Sequence, residues 1–387
     1  MRPSKLPDVG TTIFTVMSRR ARELGALNLG QGFPDYDIDP LLTELVGAAM
    51  RAGHNQYAPR EGLLELRERI AAKLAATYSI GADPETEITV TLGATEAIYS
   101  AIQAALGPGD EAIAFDPAYD SYEPAVRLAG GRCVRLPLAP PEFRYDWERV
   151  RAALTERTRL VLLNSPANPA CTVASAADLD ALAAAIRGRD IVVLSDEVYE
   201  HVVFDGARHH SVLTHAELSE RSFAVFSFGK TLHATGVRIG YCVAPRGLTA
   251  ELRKVHQFNT FSIANPLQHA IAAYLGEKPD GWRALAPFFQ AKRDRLRTAL
   301  GASGFRLPPA QGTYFQLLDF SEFAPPGDLA FAERLLTEAG VATIPLSPFY
   351  AAPPALSCLR LCIAKRDSTL DQAAARLAGF AARLGRG

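Results

Sequence analysis

The stretch SFAVFSFGKT, residues 222–231, joins an apolar run to a glycine, a lysine and a threonine. A short apolar run that is rich in valine and phenylalanine predicts a strand buried on both faces. Six further runs of this kind alternate with stretches of helical spacing, at Glu87–Leu92, Glu111–Phe115, Arg132–Leu136, Arg159–Leu163, Ile191–Leu194 and Ile239–Ala244. This alternation predicts an α/β fold with a mostly parallel seven-stranded sheet, in which ligands bind beyond the carboxyl ends of the strands.

The pattern changes after Glu277. Residues 282–300 predict a long helix, and short strands are expected around Tyr314–Leu318 and Leu359–Ile363, which together indicate a smaller α+β domain. The first forty residues show little helical periodicity and are expected to wrap against that domain. We therefore expect a large domain over residues 45–285 and a small domain formed by residues 1–44 and 286–387.

Charge and composition exclude several classes of partner. Lysine and arginine number 41 against 42 aspartates and glutamates, so the formal charge of −1 favours neither nucleic acid nor an anionic membrane. The five cysteines form no Cys-x-x-Cys pair, which argues against a disulfide framework and against a metal site. Without a signal-peptide pattern or an apolar run of membrane length, a cytoplasmic location and a small-molecule ligand are expected.

Two of the predicted strands end in loops that could bind a ligand. The first is followed by Gly93, Ala94 and Thr95, where a glycine turn enters a helix whose N-terminal amides favour a phosphate group. An ordinary threonine-capped helix has the same pattern. Another strand ends in NSPANP, residues 164–169, whose prolines would hold the Asn168 amide rigidly, although Asn-Pro is also common in simple turns.

A carboxylate pair and a lysine follow two other strands. Asp196 and Glu197 come directly after a buried strand and should point to opposite sides, with Tyr199 on the same face as Asp196. A structural salt bridge is the alternative explanation. Lys230 follows the strand that ends at Phe226; the sequence there is not a phosphate-binding P-loop, because Ala224 stands where the first glycine is needed.

Most lysines are solvated surface charges, but a lysine on the floor of a cleft is partly desolvated and becomes nucleophilic towards carbonyl groups. A phosphate cradle, an amide, a carboxylate with a nearby tyrosine, and this lysine would all be used by one ligand, pyridoxal phosphate. In that interpretation Lys230 bonds the cofactor aldehyde, and Thr95, Ser227 and Arg238 bind its phosphate.

Ten motifs, spread in order over nearly the whole chain, resemble the class I aminotransferases of fold type I. Within that family the chain is most similar to the methionine aminotransferase and kynurenine–oxoglutarate transaminase branch. The motifs are NLGQGFPD (28–35), NQYAPREG (55–62), GATEAI (93–98), PGDEAIAFDPAYDSY (108–122), SDEVYEH (195–201), SFGKT (227–231), HQF (256–258), GTYF (312–315), IPLS (344–347) and RLCIAK (360–365).

The resemblance implies a role for each matching residue. Lys230 would form the Schiff base, Asp196 would pair with the pyridine nitrogen, and Asn168 and Tyr199 would contact the ring hydroxyl. The remaining cofactor contacts would come from Gly93, Ala94, Thr95, Ser227 and Arg238 at the phosphate and Tyr119 stacked on the ring. The resemblance thus makes Lys230, Asp196 and Tyr199 the catalytic group.

The resemblance also implies a substrate site and a dimer. Arg360 would grip the substrate α-carboxylate as a bidentate fork, helped by the Gly32 backbone and Asn168. Tyr57 would reach the phosphate of the neighbouring subunit, which makes a homodimer necessary for function. The chain departs from its relatives at Val237, where they carry tryptophan, and this change leaves room that neighbouring side chains must fill.

The implied activity is transamination between an amino acid and a 2-oxo acid, in a ping-pong reaction through pyridoxamine phosphate. The segments that flank the site contain the aromatic residues Phe14, Phe33, Phe349 and Tyr350. These rings favour methionine, aromatic amino acids or kynurenine as amino donors. Rings in such numbers are equally typical of a hydrophobic core. A cysteine-conjugate β-lyase would share the same site and stays open. A transcriptional regulator lacks its DNA-binding segment, and a nicotinamide dehydrogenase lacks Gly-x-Gly-x-x-Gly after any strand.

Overall fold

Strands and helices alternate through most of the chain in a computed structural model that describes residues 4–323 and 327–384. The strands are β1 (Leu27–Asn28), β2 (Ile88–Thr91), β3 (Glu111–Asp116), β4 (Arg132–Pro137), β5 (Thr158–Asn164), β6 (Val192–Asp196), β7 (Ser222–Ser227), β8 (Gly240–Val243), β9 (Phe315–Asp319), β10 (Val341–Ala342), β11 (Ile344–Pro345) and β12 (Cys358–Cys362).

The α-helices are α1 (Ile13–Glu23), α2 (Pro40–Arg51), α3 (Leu64–Tyr78), α4 (Gly93–Ala105), α5 (Tyr122–Leu128), α6 (Trp147–Ala153), α7 (Ala176–Ile186), α8 (Ala216–Ser219), α9 (Phe228–Thr231), α10 (Arg246–Asn259), α11 (Asn265–Glu277), α12 (Leu285–Leu300), α13 (Asp328–Arg334) and α14 (Asp367–Leu384). Within the described ranges, none of these helices is long and apolar enough to cross a lipid bilayer.

Seven strands form the central sheet in the order β2-β8-β7-β6-β5-β3-β4, which confirms the predicted α/β fold and all seven predicted runs. Only β8 runs antiparallel to its neighbours. Phe223 and Val225 of β7 belong to one apolar cluster, and Ala224 and Phe226 belong to another. Because successive side chains point to opposite faces, both faces of the sheet are buried under helices.

A second, three-stranded antiparallel sheet has the order β11-β12-β9, and α12 and α14 pack against each other beside it. The predicted long helix is present, with a 3-10 turn at Gly281–Ala284 before α12. Strand β1 pairs with β10, so the first part of the chain contacts the part that follows residue 340.

Two expectations for the first fifty residues need correction. Helix α1 forms where little helical periodicity was expected, because Thr12 caps it and Met17 and Ala21, one turn apart, are buried. The proposed boundary after residue 44 falls inside α2, which packs along α11 and continues without a break to Arg51. The division into two domains itself stays a prediction.

Candidate active site

A cleft opens at the edge of the central sheet where the parallel strands end. It encloses roughly 570 Å³ of space, part of which is open to solvent. Nine of the residues singled out from the sequence line it: Ala94, Thr95, Tyr119, Asn168, Asp196, Tyr199, Ser227, Lys230 and Arg238. Asn164, Ile98 and Val198 complete its wall. Six separate segments of the chain therefore meet at this edge, as the strand-end argument predicted.

Lys230 lies on the floor of the cleft in the short helix α9, which begins immediately after β7. Its Nζ donates a hydrogen bond to the Tyr314 hydroxyl at 2.7 Å. No carboxylate oxygen lies within 4 Å of this nitrogen among the described residues. Burial lowers the pKa of Lys230 to about 8, because the charged form loses its hydration. Roughly a fifth of the amine is therefore neutral near physiological pH, far more than for an ordinary lysine, and the neutral form is the nucleophile.

Asp196 is the last residue of β6 and is buried, with a side chain that faces the cleft. Tyr122 donates a hydrogen bond to Asp196 Oδ2 at 2.6 Å, and the Asn164 side chain donates to the Asp196 carbonyl oxygen at 2.9 Å. Burial raises the pKa of Asp196 to about 6, while the Tyr122 hydroxyl opposes this rise. The carboxylate is thus held in place by neutral donors and can pair with a cation in the cleft.

The turn after Asp196 presents its side chains alternately to two sides. Tyr199 lines the cleft together with Asp196, as predicted. Glu197 points away and accepts hydrogen bonds from Ser195, from the Val212 amide and, at 2.8 Å, from His209. Asp196 and Glu197 therefore point to opposite sides of the turn, and only Asp196 faces the cleft.

The end of the cleft near α4 is positively polarised. Helix α4 begins at Gly93, so its first amide groups, which include those of Ala94 and Thr95, have no partner within the helix. Beside them lies the Arg238 guanidinium, whose only hydrogen bond in the described ranges goes to the Thr235 carbonyl at 3.3 Å. Gly93 has a φ of +69°, a left-handed conformation that favours glycine, and lies directly against the Arg238 guanidinium. A free cation beside helix amides fits a phosphate group.

Arg360 lies in the middle of β12 and is only 1% exposed. Its guanidinium donates to Asn168 Oδ1 at 2.6 Å and to the Gly30 carbonyl at 2.7 Å, while its Nε has no partner. No carboxylate pairs with it in the part of the chain that the structure describes. The guanidinium also stacks at 3.9 Å on Phe315 and at 4.9 Å on Phe14. A buried cation without a counter-ion is costly, which points to an anionic ligand here.

Gly32, Tyr57 and Val237, like Gly93 and Arg360, are not part of the cleft wall. Gly32 accepts a hydrogen bond from the Tyr314 hydroxyl at 2.6 Å and so connects to Lys230 through that tyrosine. Tyr57 is 83% exposed and packs edge-on against Phe261, away from the cleft of its own chain. Val237, the departure from the resembling family, is partly buried against the apolar core.

Two residues that hydrogen-bond to the cleft wall, Tyr122 and Tyr314, were not singled out from the sequence. Tyr122 lies in the quoted motif that ends in DSY, and Tyr314 lies in GTYF, so both motifs already contained the signal. Their roles depend on contacts with Asp196 and Lys230, which are 74 and 84 residues away along the chain. Spacing within one motif does not show such contacts.

The cleft residues fit pyridoxal phosphate. The Arg238 cation and the α4 amides suit its phosphate, Asp196 suits its pyridine nitrogen, and Lys230 suits its aldehyde. The unpartnered Nε of Arg360 suits the carboxylate of an amino acid bound next to it.

Comparison with known proteins gives consistent results. The profile of the family described as aminotransferase class I and II matches residues 25–377. A methionine aminotransferase of Escherichia coli strain K12 is 51% identical over 374 residues, which cover 97% of each chain. A probable N-succinyldiaminopimelate aminotransferase of Mycobacterium tuberculosis is 39% identical, with 99% of each chain covered. The crystal structure of an Escherichia coli protein with a methionine aminotransferase function superposes with a TM-score of 0.95 at 50% identity, over 98% of this chain and 99% of that one.

Proposed function

The chain belongs to the class I and II aminotransferases, and from that premise we propose that it transfers the amino group of methionine, and of other apolar or aromatic amino acids including kynurenine, to a 2-oxo acid. As a member of this family it is a pyridoxal-phosphate-dependent transaminase. One observation carries the substrate proposal: a buried arginine without a counter-ion, enclosed by aromatic rings, lies beside the cleft that contains the reactive lysine.

When bound, pyridoxal phosphate supplies an aldehyde that bonds the substrate amine and a ring that withdraws electrons from it. Lys230 Nζ is the base that takes up the proton of the substrate α-carbon, because its lowered pKa leaves about half of the amine neutral at pH 8. The ionised Asp196 carboxylate would keep a proton on the pyridine nitrogen of the bound cofactor. Tyr199, which is buried and stays protonated, would donate a hydrogen bond to the ring hydroxyl of the cofactor.

Recognition of the amino acid depends on Arg360. Asn168 and the Gly30 carbonyl each take one N–H of its guanidinium, and a substrate carboxylate would accept hydrogen bonds from the N–H groups that remain. Phe14 packs on this guanidinium and, at 5.4 Å between ring centres, on Phe349. Aromatic rings favour a thioether sulfur and other apolar side chains, which supports methionine as a donor. The name of the 51% identical relative agrees with this choice.

A panel of amino donors tests the proposal. Methionine, phenylalanine, tyrosine, kynurenine, aspartate and N-succinyldiaminopimelate would be compared by kcat/KM, each with several 2-oxo acids. We expect methionine or an aromatic donor to lead, with aspartate at least tenfold lower. A lead by aspartate or N-succinyldiaminopimelate would contradict the aromatic pocket. No contact in the described ranges favours the β-lyase alternative, so transamination alone is retained.

The second part of the proposal is that the chain works as a homodimer. Tyr57, Phe258 and Phe261 expose 83%, 86% and 50% of their surface in the single chain. Aromatic residues exposed to this extent in one region are typical of a protein interface. The proposal places Tyr57 against the phosphate end of the partner's cleft, where a tyrosine hydroxyl can donate to a phosphate oxygen. The cytoplasmic location stays a prediction.

A further inference from the structure

The hydroxyl of Tyr314 contacts the reacting amine, although no step of the reaction has been assigned to this residue so far. We propose that Tyr314 is a further catalytic residue, whose hydroxyl holds Lys230 Nζ so that the lone pair of the amine faces the substrate. This inference rests on the proposed role of Lys230 as the base. It concerns the orientation of the amine, which neither the cleft lining nor the family membership specifies.

The proposal begins with a chain of two short hydrogen bonds. Lys230 Nζ donates to the Tyr314 hydroxyl at 2.7 Å, and that hydroxyl donates to the Gly32 carbonyl at 2.6 Å. Because the Gly32 carbonyl can only accept, the single phenolic hydrogen is committed to it. The oxygen of Tyr314 can therefore only accept from Lys230, and never donates to its lone pair.

This fixed direction has a consequence for the base. A neutral amine has two N–H bonds and one lone pair, and Tyr314 takes one of the N–H bonds. The lone pair and the second N–H bond then occupy the two directions away from the phenol, on the side of Nζ where the cleft lies, so the lone pair is never directed at Tyr314. Burial keeps the pKa of Tyr314 well above its ordinary value, so the phenol keeps its proton over the working pH range. A general base must present its lone pair to the proton that it removes.

The surrounding chain holds Tyr314 rigidly enough for this role. Thr313, immediately before it, has a φ of +71° and donates its amide to the Val202 carbonyl at 2.9 Å. The Tyr314 carbonyl accepts from the Ile363 amide, also at 2.9 Å. A non-glycine residue in the left-handed region persists only where its surroundings fix it, and such positions cluster at functional sites.

The other end of the hydrogen-bond chain lies beside the proposed substrate site. The Gly30 carbonyl accepts from Arg360, and the Gly32 carbonyl accepts from Tyr314, so one loop contacts both side chains. A Cβ atom at Gly32 would lie 2.7 Å from the Phe315 ring, which fixes that loop against β9. Through these hydrogen bonds, Tyr314 connects the Lys230 amine to the loop of Gly30 and Gly32, which borders the proposed site for the substrate carboxylate.

The test is Tyr314→Phe, which keeps the ring and its packing against Tyr199 and removes only the hydroxyl. In the cofactor-loaded enzyme we expect kcat with methionine to fall at least tenfold and KM to change less than about twofold. In the apoprotein, the pKa of Lys230 would be read from the pH dependence of pyridoxal phosphate capture. The pKa of Lys230 in the variant should fall below the wild-type value, because the ammonium form loses the Tyr314 hydroxyl as its hydrogen-bond acceptor.

Tyr274→Phe is the matched control, because its hydroxyl donates to Asp39 outside the cleft. It should leave kcat and the capture pKa unchanged. Incorporation of 3-fluorotyrosine at position 314, which keeps the fold and weakens the acceptor, should lower both quantities by smaller amounts. An unchanged kcat, or an unchanged capture pKa, in both position-314 variants would overturn the proposal. The capture pKa is measured without turnover, so it tests Tyr314 even if the methionine assignment fails.

Discussion

The ammonium of Lys73 and the carboxylate of Glu200 lie 2.6 Å apart, completely buried, behind the turn that carries Asp196 and Tyr199. Tyr78 donates to the second carboxylate oxygen at 2.5 Å. Burial alone would raise the pKa of Glu200, but His201 and Lys73 outweigh it and lower the pKa. A buried ion pair that solvent cannot reach therefore supports the turn that carries Asp196 and Tyr199.

Breaking this pair from one side should be far more damaging than replacing both partners. Glu200→Leu leaves a buried ammonium, and Lys73→Met leaves a buried carboxylate, each at a cost of about 3–5 kcal/mol. The double variant Lys73→Met/Glu200→Leu should recover at least half of that loss. Urea denaturation of the three apoproteins would measure it. Additive losses in the double variant would show that the two side chains do not act as a pair.

Asp196→Asn should stabilise the apoprotein while it abolishes transamination. The rise in the pKa of Asp196 from 3.8 to about 6 corresponds to about 3 kcal/mol of destabilisation at neutral pH, which a neutral amide removes in part. The folded protein binds this proton more tightly than the unfolded chain does. Wild-type apoprotein should therefore gain stability as the pH falls from above 6 towards 3.8.

Denaturant midpoints of the wild-type and Asp196→Asn apoproteins would be measured across this pH range. Only the wild type should gain stability as the pH falls, because the variant has no carboxylate to protonate. A variant less stable than wild type at pH 8 would contradict the assigned cost of the buried charge. Retention of full transamination activity would contradict the role of Asp196.

Arg360→Lys should raise the KM for amino donors by about 10- to 100-fold, with a smaller change in kcat. A lysine has one centre of charge and cannot serve Asn168, the Gly30 carbonyl and a carboxylate together, so it loses charge-assisted bonds of about 1.5–3 kcal/mol each. Steady-state kinetics with methionine would measure the effect. The exposed Arg366, changed to lysine, is the control and should behave as wild type. An unchanged KM in Arg360→Lys would remove this residue from the substrate site.

Phe258→Glu should weaken the proposed homodimer, since it places a charge at a side chain that is 86% exposed in the single chain. Sedimentation velocity should show a shift from dimer to monomer, and cofactor affinity should fall because Tyr57 no longer reaches the partner's cleft. Leu329→Glu, at another exposed apolar position on α13, should leave both properties unchanged. A wild-type protein that sediments as a monomer while fully active would refute the dimer.

Sequence patterns predicted those structural elements that depend on residues close to one another along the chain. The apolar run of β7, followed by Lys230, predicted both a strand and the floor of the cleft. It did so because a strand that is buried on both faces has a continuous run of apolar residues. Helix α1 was missed because few of its residues are buried. Tyr122, Tyr314 and the Lys73–Glu200 pair were missed for another reason. Their partners lie 74 to 127 residues away along the chain, and only the order of the strands brings them together.

The position of β8 also sets the order in which the site can assemble. Strand β2 has no neighbour in the sheet except β8, and β8 is the last of the seven strands in the chain. A growing chain can thus align β3 to β7 while β2 and the start of α4 still lack their place. When β8 inserts between β2 and β7, it brings Arg238 to the α4 amides in the same event. Among the parts of the cleft that the central sheet builds, the phosphate end is therefore completed last, and a chain truncated before residue 238 should not hold the cofactor.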